Sequence, residues 1–176
     1  MTERTYNTVD KSSWGDGPWQ GEPDKVQYTD EATGLPCLAV RGHLGNWCGY
    51  VGVAEGHPLF GVDYDQCPRG CAEWGCCHRP DGRLDVHGGI TYAAACQEGD
   101  EARSICHVPE PGQPDHVWWF GWDCAHAGDL VPGSAALLLA RRAFLKGLAR
   151  HETYRDLEFV REQNRQLAAQ LAGRQP

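Results

Sequence analysis

Long apolar runs and positive charge are what this chain is short of. Its longest apolar run, Ala135-Ala136-Leu137-Leu138-Leu139-Ala140, falls far below the ~20 residues that a membrane-crossing helix needs. Sixteen Lys and Arg stand against 24 Asp and Glu, a formal charge of −8, which argues against wrapping long nucleic acid. The first residues, MTERTYNTVDKSS, are polar and contain no apolar signal core, so a soluble, intracellular protein is expected, with no membrane partner. The cysteine count is nine, and an odd number argues against a framework built wholly of disulfides.

Turn-forming and aromatic residues are plentiful. With 22 Gly and 11 Pro in 176 residues, an all-helical bundle is excluded, and the length suits a single domain over 1–176. Seven Trp and a 41% hydrophobic content supply a core and rule out a disordered chain. The charge is uneven. Residues 135–176 hold 8 basic and 4 acidic side chains, whereas residues 1–134 hold 8 and 20. That reads either as an acidic body with a charged surface helix or as a carboxylate-rich site that prefers a cation.

Residues 1–24 read as an irregular arm pinned by Trp14 and Trp19. Strand patterns follow at Lys25–Thr29, Leu35–Val40, Trp47–Val53, Leu84–Tyr92 and His116–Asp123. Asp30-Glu31-Ala32-Thr33-Gly34 is a hairpin-like connection with Gly at its end. Helical patterns occupy 134–151 and the stretch from Tyr154, where Thr153 and Asp156 fit a capping box. Tyr154, Leu157, Val160, Leu167 and Leu171 share one face of the second helix. The expected class is α+β: a mostly antiparallel sheet of about five strands, covered by C-terminal helices over 135–172. That amphipathic tail fits packing on its own sheet or on a second chain, so a homo-oligomer is one outcome.

Between two strands, Cys67, Cys71, Cys76, Cys77 and His78 place four thiols and an imidazole within twelve residues. Four of these five would give a closed, structural zinc site stapling a loop that has no core of its own. Free thiols and disulfides are the alternatives. The scattered Cys37, Cys48, Cys96, Cys106 and Cys124 read as core thiols by default. Cys96 with Cys106 could pair across a short loop, and Cys124, beside Asp123 and His126, could serve as a nucleophile.

Polar residues gather beside glycines in three places: Glu55-Gly56-His57-Pro58, Asp85-Val86-His87-Gly88-Gly89 and Asp123-Cys124-Ala125-His126-Ala127-Gly128-Asp129. Strand alternation would put Asp85, His87, Gly89 and Thr91 on one face. The three-residue spacing of Asp123, His126 and Asp129 lets two carboxylates and an imidazole converge, in a helical turn or a tight loop. Mixed N/O donors of this kind suit Zn, Mn or Mg, with His87 or His57 completing the shell. Two other readings stay open: a metal-free pocket with His as general base and Asp as its orienter, and a hydrogen-bonded cluster locking strand ends. Gly88 and Gly89 leave room for a ligand. Trp119, with Trp118 and Trp122, offers a flat wall for a base or sugar, or simply core.

The segments Trp47–Val53, Gly56-His57-Pro58, Asp85–Tyr92, Trp118–Asp129 and Tyr154-Arg155-Asp156-Leu157 resemble a family of small uncharacterised proteins common in phages and prophages. The resemblance covers roughly residues 25–130 and 152–171. It implies a phage accessory function, counter-defence among them, in the cytoplasm of a bacterial host. The expected activity is metal-dependent hydrolysis of a phosphate-containing or nucleotide-like small molecule. Asp123, His126, Asp129 and His87 would hold the metal or act as acid and base, with His57 at the rim. A binder that sequesters a nucleotide signal, and a zinc-stapled module that inhibits a host protein, are the rivals.

Overall fold

The computed structural model describes residues 3–65, 84–97, 99–134 and 152–174. The cysteine-rich run 67–78 and the helical stretch 135–151 lie outside them. Among the described residues the architecture is α+β, as expected, with one six-stranded antiparallel sheet and a C-terminal helix. The strands are β1 (Arg4–Tyr6), β2 (Lys25–Thr29), β3 (Pro36–Arg41), β4 (Trp47–Ala54), β5 (Tyr92–Ala95) and β6 (Val117–Asp123), and the helix is α1 (Leu157–Ala172). Their order across the sheet is β1-β2-β3-β4-β6-β5. No helix among the described residues is long and apolar enough to cross a membrane.

The sixth strand corrects the reading of residues 1–24 as wholly irregular. Arg4–Tyr6 pairs with β2 in the register Arg4 to Gln27, and two 3-10 turns follow at Ser12–Trp14 and Pro18–Gln20. Trp19 is buried edge-on against Tyr154, with ring centroids 5.2 Å apart. A second correction concerns Leu84–Tyr92. Its strand pattern is realised only from Tyr92 onward, because Gly88 and Gly89 adopt φ of 72° and 85°, which curls the chain out of an extended path. The Gly89 amide closes a turn on the Val86 carbonyl at 2.9 Å. Asp85, His87, Gly89 and Thr91 therefore do not share a sheet face.

Alternation along the central strands sorts the core into two layers. Trp47, Val51 and Val53 of β4, with Phe120 and Trp122 of β6, face α1 and pack on Val160, Leu167, Ala168 and Leu171. Burying such aliphatic side chains stabilises by about 1.5–3 kcal/mol each. Leu38, Val40, Tyr50, Val117 and Trp119 form a second cluster on the opposite face, with Ile105 packed against it. There the segment 101–108 is held by Lys25, whose buried ammonium donates to the Glu101 and Cys106 carbonyls. Gln27 exchanges two hydrogen bonds with the Val108 backbone at 2.6 and 2.9 Å.

Helix α1 begins at Asp156, whose side chain caps the Phe159 amide at 2.9 Å. The expected box led by Thr153 is thus shifted: Thr153 instead forms a parallel bridge with Asp129. Two of the five scattered cysteines depart from the core-thiol default, since Cys96 and Cys106 form a disulfide. Cys37 and Cys124 are buried free thiols.

Candidate functional site

The site lies where β6 ends and α1 begins, and three chain segments build it. The first is the tight turn after β6, closed by the Asp129 amide on the His126 carbonyl at 3.0 Å. Gly128, at φ 96°, makes this turn a loop and not the start of a helix. The second is residues 128–130, stitched to Thr153 by Thr153 N–H to the Gly128 carbonyl (2.8 Å) and Leu130 N–H to the Thr153 carbonyl (2.9 Å). That pairing brings Arg155 beside Asp129. The third is the 86–89 turn, docked on α1 where the His87 amide donates to Gln163 Oε1 at 2.8 Å.

Asp129 is the centre. Its side chain is 1% exposed and both oxygens are engaged. Oδ2 lies 2.7 Å from His87 Nε2 and accepts the His126 amide at 3.1 Å, while Oδ1 accepts Arg155 Nε at 3.0 Å. Burial works to raise its pKa. The hydrogen bonds from His87, Arg155 and the His126 backbone outweigh it and hold the carboxyl below its ordinary value. The His87 and His126 rings stand edge to face with centroids 5.4 Å apart, and His87 also contacts Phe159 at 5.3 Å and Trp122 at 6.1 Å.

One ligand atom each from His87, His126 and Asp129 lies within 4.8 Å of the others, so the group could hold a metal ion. His126 Nδ1 is buried and has no hydrogen-bond partner among the described residues, standing 3.8 Å from Asp129 Oδ2. Two imidazoles and one carboxylate are donors that suit Zn, Mn or Fe(II). A tetrahedral shell with bonds of about 2.0–2.1 Å sets donors roughly 3.3 Å apart, so binding a cation would draw the His126 ring inward. The ion would replace the proton shared by His87 and Asp129.

The other expected site residues fall around this group or away from it. Asp123 stands 3.9 Å from His126 Nδ1 and accepts the Ala125 amide at 2.9 Å, next to the three donors but not one of them. Gly88 lies against the His126 ring so closely that a Cβ there would fall inside it. Gly89 opens onto free space. His57 does not join. Its Nε2 contacts the Leu171 carbonyl at 3.0 Å and its Nδ1 accepts the Leu59 amide. Leu171 is eight residues beyond Gln163, roughly 12 Å farther along the helix axis.

Trp119 is likewise no wall of this site. It is fully buried on the opposite face of the sheet, edge-on to His107 at 5.4 Å. Trp122 is core beneath His87. Cys124 is buried, and burial, reinforced by Asp129, pushes its thiol up, so it is no ready nucleophile. The Cys67, Cys71, Cys76, Cys77 and His78 zinc reading lies outside the described residues.

Arg155 and Gln163 have no role in the sequence reading. Arg155 carries a signal in hindsight: a cation just before the N-cap opposes the helix dipole, which implies a partner elsewhere. Gln163 carries none, since one amide on a polar helix face is unremarkable.

Fold and site together define an α+β protein with a two-histidine, one-carboxylate group able to hold a metal ion. Comparison of the chain with protein-family models, curated proteins and solved structures finds no match.

Proposed function

We propose that the protein is a divalent-metal-dependent hydrolase of a phosphate-containing or nucleotide-like small molecule, with His87, His126 and Asp129 as the metal ligands. The observation that carries this reading is the convergence of three metal-binding donors from two turns far apart in sequence, one of them an imidazole nitrogen without a hydrogen-bond partner among the described residues. A cation there would polarise a phosphoryl oxygen and lower the pKa of a bound water. Asp123, 3.9 Å from His126, would accept a proton at the edge of the group. The wider role is a phage accessory one, with counter-defence its purpose. It is supported by the sequence resemblance alone, as is the cytoplasm of a bacterial host. The Cys96–Cys106 disulfide counts against a permanently reducing compartment.

A specific observation favours a second reading. His87 Nε2 and Asp129 Oδ2 are 2.7 Å apart, direct hydrogen-bond distance and the geometry of an imidazole oriented by a carboxylate for general-base work. A protein that binds and sequesters its ligand unchanged would use the same pocket.

Metal analysis and turnover of bis(p-nitrophenyl) phosphate decide between them. Purified protein should contain one ion that is lost in His126→Ala and Asp129→Asn, with at least 100-fold loss of turnover and an unchanged circular dichroism spectrum. Metal lost only in Cys71→Ala/Cys77→Ala would leave the His/Asp group metal-free. Retained metal and turnover in His126→Ala would end the hydrolase reading.

A further inference from the structure

Among the described residues, Arg155 is the one strong cation joined to this site, and the metal chemistry does not use it. Its Nε is spent on Asp129 Oδ1 at 3.0 Å, and its guanidinium carbon lies 4.7 Å over the Phe159 ring. Two attachments, one to a carboxylate and one over an aromatic ring, anchor the group. A guanidinium has five N–H donors. With Nε engaged, the four on Nη1 and Nη2 have no hydrogen-bond partner among the described residues, and the side chain is 31% exposed. A single carboxylate separates it from His87, because Asp129 offers one oxygen to each.

We propose that Arg155 is the anion-recognition residue of the site: its free Nη1–Nη2 edge takes two oxygens of the substrate's phosphoryl group. This rests on the His87–His126–Asp129 group being the reactive site. The edge matches the spacing of two phosphate oxygens, which makes a bidentate, charge-assisted contact. The surroundings favour a second cation beside the metal. Asp123 and Asp129 flank the histidines and the first 134 residues hold 20 acidic side chains, so an incoming phosphate meets a repulsive field unless a fixed cation receives it. The anchoring by Asp129 and Phe159 means that little side-chain freedom remains to be lost when the anion docks.

Inorganic phosphate is the probe, titrated calorimetrically into the full chain with manganese and, separately, with chelator, and acetate is the comparison anion. Arg155→Lys keeps the charge and loses the fork. It should weaken phosphate binding by about tenfold or more while leaving the melting transition in place. Phe159→Leu removes the aromatic surface beneath the guanidinium together with its contact on the His87 ring, keeps the Nη1–Nη2 edge, and should weaken phosphate binding by a smaller factor. Equal phosphate affinity in wild type and a folded Arg155→Lys overturns the proposal, as does absence of phosphate binding by the wild type in both conditions. So does acetate binding as tightly as phosphate. If Arg155→Lys does not fold, unchanged affinity in Phe159→Leu decides against it. Phosphate binding that depends on Arg155 in a protein without turnover retires the hydrolase and keeps the anion site. Turnover whose KM is unmoved by Arg155→Lys does the reverse.

Discussion

At the residue scale, two side chains explain why the layers meet as they do. Asn164 is fully buried in the middle of α1, where a polar group is costly unless it is bonded. It is fully used. Its Oδ1 accepts Trp122 Nε1, and its Nδ2 donates to the Tyr28 hydroxyl and the Leu38 carbonyl, each at 3.0 Å. One amide thus ties the helix to β2, β3 and β6. Gly49 makes the room, because a Cβ there would press on both Asn164 Oδ1 and the Trp122 indole. Asn164→Leu keeps the volume and strands the indole N–H and the phenol. Urea unfolding should then show a loss of about 2–4 kcal/mol. A loss below about 0.5 kcal/mol would mean that these groups find other partners. The sequence hides this residue: the apolar face of α1 is legible from Val160, Leu167 and Leu171, but a buried Asn on that face reads as solvent-facing. The site histidines behave differently. His126 and Asp129 are close in sequence and were legible as a pair. His87 joins them through a turn, and the alternation that suggested a strand gave no hint that Gln163 would hold it.

At the element scale, the start of α1 is governed by an acid far away in sequence. Glu22 Oε1 accepts the Leu157 amide at 3.1 Å, and Oε2 accepts Arg41 Nη2 at 2.9 Å, Trp47 Nε1 at 3.1 Å and the Tyr154 hydroxyl. It satisfies one of the free N–H groups at the helix start and ties the N-terminal arm to β3, β4 and α1. Asp156 caps the next turn. Burial works to raise the Glu22 pKa, but the bonds from Tyr154, Leu157 and Arg41 prevail and hold it below its ordinary 4.5. A carboxylate depressed in the folded state contributes stability at pH above its unfolded pKa, and that stability is lost as pH falls through the folded value. The melting temperature should therefore drop as the pH is lowered below about 4.5. Glu22→Gln should lower it at pH 7 and flatten that acid limb. An acid limb of unchanged steepness in Glu22→Gln would assign the effect to other carboxylates, Asp24 and Asp129 first. The elements themselves were legible because alternation and helical period report burial directly. The ends were not. Which acid caps a helix depends on tertiary neighbours, so Thr153 looked like the cap until its backbone proved to be paired with Asp129.

At the scale of the whole molecule, the sheet separates two layers with different means of support. On the α1 side, apolar side chains and the Asn164 and Glu22 networks hold the helix that follows Arg155 and docks His87. On the other side, Trp119, Tyr50 and Leu38 are covered by an irregular segment closed by the Cys96–Cys106 bond, with a sequence separation of 10. Lys25 enters that segment as a buried ammonium. Burial brings its pKa down to about 8, although the charges of Glu101 and Asp100 work to raise it. A loop with few apolar side chains cannot hold itself against a sheet by burial alone, so the cross-link and the Lys25 and Gln27 bonds to its backbone take that part. Such a segment is the least legible in sequence, because its placement follows from one covalent bond and from side-chain hydrogen bonds such as those of Lys25 and Gln27, and from no periodicity. Closing a loop of this length contributes about 2–3 kcal/mol by restricting the unfolded chain. Cys96→Ser/Cys106→Ser should lose about that much in urea unfolding, as should wild type under reductant. The same variant should keep its metal content and its phosphate affinity, because the His87–His126–Asp129 group and Arg155 are built from the β6 end, the 86–89 turn and the residues that lead into α1, none of which rests on the disulfide segment. If metal or phosphate binding falls in step with stability, the two layers are coupled through β6, whose Trp119 and Trp122 face opposite sides of the sheet.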